Sequence, residues 1–186
     1  MALSPTLWRT ARVLAGETRL ELLRRIINQP GQTVSELARS MALSLPRASQ
    51  ELRRLQSRGL VQAVRKGLTV RYRPVPDPLV ASARPILDAL EQAFRASPPD
   101  NEPVRNTARA FSHEKRLAIV RELIRGPRSV YELQGLLRMP GMTAYRHLHQ
   151  LENAGVIRRM NRQWELAATE DPLGACLVGL LKERPA

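Results

Sequence analysis

The feature that most constrains this chain is that it states one pattern twice. Thr10-Ala11-Arg12, then Glu17, Arg19-Leu20 and Arg24, returns as Thr107-Ala108-Arg109, then Glu114, Arg116-Leu117 and Arg121, 97 residues later. After one net deletion, Val34, Glu36-Leu37, Ala48, Leu52, Leu55 and Gly59 meet Val130, Glu132-Leu133, Ala144, Leu148, Leu151 and Gly155 at an offset of 96. Asp77-Pro78-Leu79 then meets Asp171-Pro172-Leu173. A period this long is that of a repeated domain rather than a solenoid unit. The expected organisation is one domain over residues 1–96, a Ser/Pro/Asp/Asn linker over 97–103 and a second domain over 104–186. Domains of this size bury modest cores, so packing between the halves is expected to add stability.

Charge narrows the partner. The chain has 30 Lys and Arg against 17 Asp and Glu, a formal net charge of +13, which points to a polyanion. Residues 1–99 hold 16 basic and 7 acidic side chains and residues 100–186 hold 14 and 10, so the first half is the more cationic. Apolar runs are too short for a membrane span, and the N-terminus lacks a basic region followed by an apolar stretch. A single cysteine, Cys176, excludes an internal disulfide. A cytoplasmic, nucleoid-associated protein without a membrane partner is expected.

Periodicity and breakers place helices over 6–15 and 17–28, with Pro30-Gly31 ending the second. Thr33 and Glu36 form a capping-box signature for a third helix, Val34 to Met41. Ser44 suits the N-cap of a fourth, which buries Ala48, Leu52 and Leu55 and stops at Gly59. Leu60 to Arg65 and Thr69 to Arg73 alternate as two strands, with Arg71 and Arg73 opposite Val70 and Tyr72. Past Pro74, Pro76 and Pro78, a helix is predicted from Leu79 to Ala96, with a kink or restart at Pro85. The second half repeats this order: helices over 104–111, 114–125, from 130, and 141–154, a shorter hairpin over 156–160 and 163–166, and a closing helix over 172–182.

This order is a mainly α fold with small β-hairpin wings, two tandem winged helix-turn-helix domains. Such a domain braces one helix so that its polar face enters the major groove. In the first half that face carries Ser44, Pro46, Arg47, Ser49, Gln50, Arg53 and Arg54. Arg pairs bidentately with guanine and Gln with adenine, and either can hold a phosphate. The wing adds Arg65, Lys66, Arg71 and Arg73 for phosphate or minor-groove contact. The corresponding second face offers Met142, Thr143, Arg146, His149 and Gln150, with Arg158, Arg159 and Arg162 on a shorter wing. These serve either DNA contact or a role in holding the halves together.

The segment Leu43-Ser44-Leu45-Pro46-Arg47-Ala48-Ser49-Gln50-Glu51-Leu52-Arg53-Arg54-Leu55, then Arg58-Gly59-Leu60-Val61, resembles the recognition segment of ArsR/SmtB-type repressors. Val70-Arg71-Tyr72-Arg73 resembles their wing, and Ala15 to Leu23 their second helix. The likeness covers residues 6–95 and is looser around Thr143 to Leu148 and Ala154 to Ile157. It implies a DNA-binding regulator, most simply a repressor. It also implies pseudo-dimer packing through Thr6–Leu14, Leu79–Phe94, Val104–Phe111 and Leu173–Leu181, and homodimerisation of whole chains through the same first and last helices. Two copies in one chain depart from that family's usual single domain. The third helices also lack the cysteines of its metal sensors.

His147 and His149 diverge by about 200° around a helix and His113 lies in another helix, so no metal site is expected. Cys176 reads as packing, and Trp8 and Trp164 as core or interface anchors. No nucleophile–base pair, paired carboxylates or phosphate loop stands out, so neither an enzyme nor a cofactor is expected. The expected partner is double-stranded DNA, read at an imperfect palindrome. The alternatives are a protein-interaction or chromosome-organising module and an RNA-binding protein.

Overall fold

The computed structural model describes residues 6–96 and 99–183. The first half runs α1 (Leu7–Leu14), α2 (Glu17–Asn28), β1 (Gln32–Thr33), α3 (Val34–Ser40), α4 (Leu45–Gln56), β2 (Gln62–Lys66), β3 (Thr69–Arg73) and α5 (Ala83–Ala96). The second half gives the same order: α6 (Glu102–Phe111), α7 (Glu114–Arg125), β4 (Arg128–Ser129), α8 (Val130–Leu137), α9 (Gly141–Asn153), β5 (Ile157–Met160), β6 (Gln163–Leu166) and α10 (Pro172–Lys182).

Local chemistry sets most boundaries. Thr33 accepts from the Glu36 amide while Glu36 accepts from Thr33, closing the anticipated capping box at α3, and Ser129 with Glu132 does the same at α8. Between α3 and α4 the chain turns through Ala42 at φ 51°, and through Arg138 at φ 46° in the second half. Ser44 caps α4 through the Arg47 amide, with Pro46 in the first turn. Gly59 has φ 70°, and a Cβ there would meet Val80 and Asp77 at 3.0 Å, so this exit requires glycine both for conformation and for space.

Each wing is a three-stranded antiparallel sheet, in the orders β1-β3-β2 and β4-β6-β5. The two-residue strands β1 and β4 were not anticipated, because two residues carry no alternation and only pairing with β3 or β6 defines them. Leu60 and Val61, expected to open the first hairpin, instead fill the core, and β2 starts at Gln62. Helix α5 begins at Ala83 rather than Leu79: Asp77 binds the Leu79 amide in a turn, and Val80 plugs the core beside Gly59. Pro85 falls in the first turn of α5, where no hydrogen bond is lost, so it neither kinks nor restarts the helix. Glu102 and Pro103, assigned to the linker, form the first turn of α6 because Pro suits that position. Ser97 and Pro98 lie outside the described residues.

The halves pack as a pseudo-dimer. Helix α1 lies against α6 and α5 against α10, and one continuous apolar core joins Leu14, Leu90, Phe94, Phe111, Leu173 and Leu177. A polar tie crosses the same seam. Arg105 pairs with Glu17 at 2.8 Å, and within the first half Arg24 stacks over Phe94 at 4.3 Å and fixes the connector by donating to Asn101 and to the Asp100 carbonyl. Burial of that guanidinium lowers its pKa. Trp164 is a core anchor, whereas Trp8 is half-buried under Arg9.

Candidate nucleic-acid interface

In the first half, Ala48, Glu51, Leu52 and Leu55 turn α4 toward the core. The opposite side exposes Pro46, Arg47, Gln50, Arg53 and Arg54, with Ser44 at its start and Ser49 half-buried along its edge. Arg47 and Arg53 make no ion pair among the described residues, so their cationic heads face solvent unneutralised. Arg54 differs: its guanidinium donates to both Glu51 oxygens, at 3.1 and 3.2 Å. Glu51, at 8% exposure, also accepts from Arg19 of α2 at 3.0 Å. Arg54 is thus partly committed to anchoring the helix, and it joins the outward row as a neutralised group. The Glu51–Arg19 tie was not anticipated. The signal available in the sequence was the recurrence of Arg19 as Arg116 on an otherwise apolar stripe.

The wing sorts its cations by strand alternation. Lys66 pairs with Thr69 across the hairpin, and Thr69, Arg71 and Arg73 share that side of β3. With Pro30 and Gly31 they line a shallow concavity of about 500 Å³. Arg71 is held there by donating to the Gly31 carbonyl at 2.7 Å, which fixes its guanidinium in the concavity. Arg65 turns to the other side and donates to the Gly67 carbonyl near the tip. Leu68 at that tip is 98% exposed.

The second half builds the same frame with other side chains. Along α9, Arg146 and His149 are exposed and Thr143 is half-buried, but Met142 (84% exposed) and Tyr145 stand beside them. Tyr131 and Leu136 of α8 and Met160 of β5 are further exposed apolar residues of this half. Gln150 accepts from Arg116, so its carbonyl is not free to read a base. Arg158 is neutralised across the hairpin by Glu165 at 2.6 Å. Arg159 joins Met142, Tyr145, Arg146, His149 and Trp164 around a cleft of about 340 Å³, and Arg162 sits in the tight turn at φ 67°. The aromatic and methionine residues are the part of this face that charge-led reading passes over.

His113 and His147, which sequence distance separates, meet with ring centroids 4.7 Å apart. Burial and the surrounding His113, Arg116, Arg146 and Lys115 push the His147 pKa down to about 4. Among the described residues no three His, Cys, Asp or Glu side chains converge as metal ligands. Burial raises the Cys176 thiol to about 11, which leaves it protonated and unreactive at neutral pH. No helix among the described residues is long and apolar enough to cross a membrane.

The comparisons with known proteins fall on these two frames. Residues 17–66 match the MarR family and residues 111–159 match a helix-turn-helix domain. Each match spans a brace, a turn and a recognition helix with the start of the wing. No curated protein matches the chain. Among solved structures, reduced HlyU from Vibrio cholerae N16961 is 25% identical, over 47% of this chain and 83% of its own, with a TM-score of 0.39. Both halves are winged helix-turn-helix domains of the kind found in DNA-binding transcription regulators.

Proposed function

We propose that the chain is a DNA-binding transcriptional repressor of the ArsR/SmtB type, built as a tandem duplication over 1–96 and 104–186, with no metal-sensing site. The observation that carries the reading is the row Arg47, Gln50 and Arg53 on a capped helix, in the same domain as the Lys66–Arg71–Arg73 concavity of the wing. Basic side chains against phosphates supply affinity by counterion release, and Arg47, Gln50 and Arg53 supply base readout.

The two recognition helices occupy a pseudo-two-fold frame, so the chain spans two major grooves about 34 Å apart without a second copy. The first half reads bases. The second, with Gln150 and Arg158 internally engaged, contacts backbone through Arg146, Arg159 and Arg162. An imperfect palindrome follows. Further pairing of whole chains through the first and last helices is secondary, because α1, α5, α6 and α10 already cover one another. The protein acts in the cytoplasm on the nucleoid, with neither cofactor nor catalytic step.

Selection of bound duplexes from a random pool, repeated across salt, tests this. A motif with two unequal half-sites one helical turn apart is expected. Steep salt dependence with no enriched motif overturns base readout, and preference for RNA over duplex DNA overturns the partner.

A further inference from the structure

The two halves treat one inward-turned guanidinium differently. Arg19 donates to the Val13 and Arg12 carbonyls and completes its set on the Glu51 carboxylate. Arg116, its counterpart, donates to the Ala110 and Arg109 carbonyls at 2.6 and 2.7 Å, to the Ser112 hydroxyl and to Gln150. These bonds use four of five N–H groups. The position of Glu51 is taken by His147, which is 3% exposed and kept neutral beside Arg116. Arg116 is therefore a cation at 7% exposure whose acceptors among the described residues are all uncharged. A buried charge without a counter-charge is costly.

Arg116 does not face closed protein. With Arg109, Asn106, Ser112, Gln150 and Asn153 it lines an open pocket of about 440 Å³ between α6, α7 and α9. Asn106, Arg109, Arg116, Gln150 (through Nε2) and Asn153 can present N–H donors there, the Ser112 O–H is already donated to the Arg109 carbonyl, and no carboxylate is in the lining. Arg109 is half-exposed and reaches Glu102 at 3.2 Å, which it shares with Arg105. We propose that this pocket is an anion site that takes a phosphate-type oxyanion on Arg109 and Arg116, supplying from outside the counter-charge that Glu51 supplies within the first half. The oxyanion comes either from a small phosphorylated solute or from the DNA backbone beside α9. The site stands independently of whether the first half reads bases.

Inorganic phosphate is the probe. At fixed pH and ionic strength, melting of the full chain is followed as phosphate replaces chloride. A saturable rise of about 4 °C is expected. The rise disappears in His147→Glu, which places a carboxylate beside Arg116 as the first half does, and shrinks at least threefold in Arg109→Ala. Arg109 is on the surface and its loss leaves the fold intact. No rise in the wild type, or an equal rise in both variants, overturns the proposal. Duplex binding then separates the sources. If backbone phosphate fills the pocket, Arg109→Ala weakens every duplex about fivefold and free phosphate competes. If a free solute fills it, Arg109→Ala leaves duplex affinity unchanged while the phosphate-dependent rise in melting still shrinks at least threefold.

Discussion

The N-terminal half ties its recognition helix to the domain with Glu51, clamped by Arg19 and Arg54, and leaves Arg47, Gln50 and Arg53 facing outward. The C-terminal half holds the equivalent helix through Arg116 and Gln150 around a neutral His147, and its outer face mixes Arg146 with Met142 and Tyr145. One backbone frame thus carries two chemistries. Where the internal anchor is an ion pair, the outward face keeps cations free of partners. Where the anchor is a guanidinium on neutral acceptors, a pocket opens beside it. A repeated scaffold fixes where a side chain points, while the residue at that point fixes what it can bind.

The largest expected effect breaks the comparison at its outer faces. Replacing Arg47 and Arg53 together with Ala should weaken the selected duplex about 100-fold, whereas Arg146→Ala with Arg159→Ala should cost less than about fivefold, as read by fluorescence anisotropy at fixed salt. Equal losses would mean that the halves share the reading. Next comes the interior. Glu51→Gln strands Arg19 and half-frees Arg54, so denaturant unfolding should show a loss of about 2–3 kcal/mol. Gln150→Ala, which removes only a neutral acceptor, should cost about 1 kcal/mol.

Acid separates the halves further. His147 binds its proton at about 4 when folded, against an ordinary value near 6.5. The unfolded chain takes up the proton first. This contribution is therefore fully present above pH 6.5 and is lost as pH falls toward 4, by about 3 kcal/mol. His113, lowered by burial and by Arg116, adds in the same direction. His147→Gln should flatten the slope of stability between pH 6.5 and 5, a window above the range where the capping carboxylates of Glu36 and Glu132, themselves held low, become protonated. An unchanged slope would assign acid sensitivity elsewhere. The smallest effect concerns the wing: Lys66→Ala with Arg73→Ala should reduce the magnitude of the log–log salt slope of duplex binding by about 2, one for each lost phosphate contact. The matching pair Arg158→Ala and Arg162→Ala should change it by less than about 1, because Arg158 is already paired with Glu165.

Elements legible in the sequence were those written in local chemistry. The capping boxes at Thr33 and Ser129, the Ser44 cap and the left-handed glycines at 59 and 155 bound their helices, and the alternation of Thr69 to Arg73 drew the wing. The strands β1 and β4 and the start of α5 were not legible, since each exists only because a distant segment pairs with it or blocks it. Among site residues, Arg47, Gln50 and Arg53 follow from helical phase alone. Arg54, Gln150 and Arg158 could not be separated from them, because whether a polar head is free depends on an acceptor brought in by folding.

By itself the sequence determined that two like helical frames exist and which faces of α4 and α9 turn inward, because apolar spacing and cap residues act over a few positions. Only the tertiary structure decided which cations stay unpaired and that His113 meets His147. It alone also left Arg116 buried against neutral acceptors beside an open pocket. Charge pairing and burial act through space over a few ångströms, and the residues that share such a neighbourhood lie 30 or more positions apart along the chain.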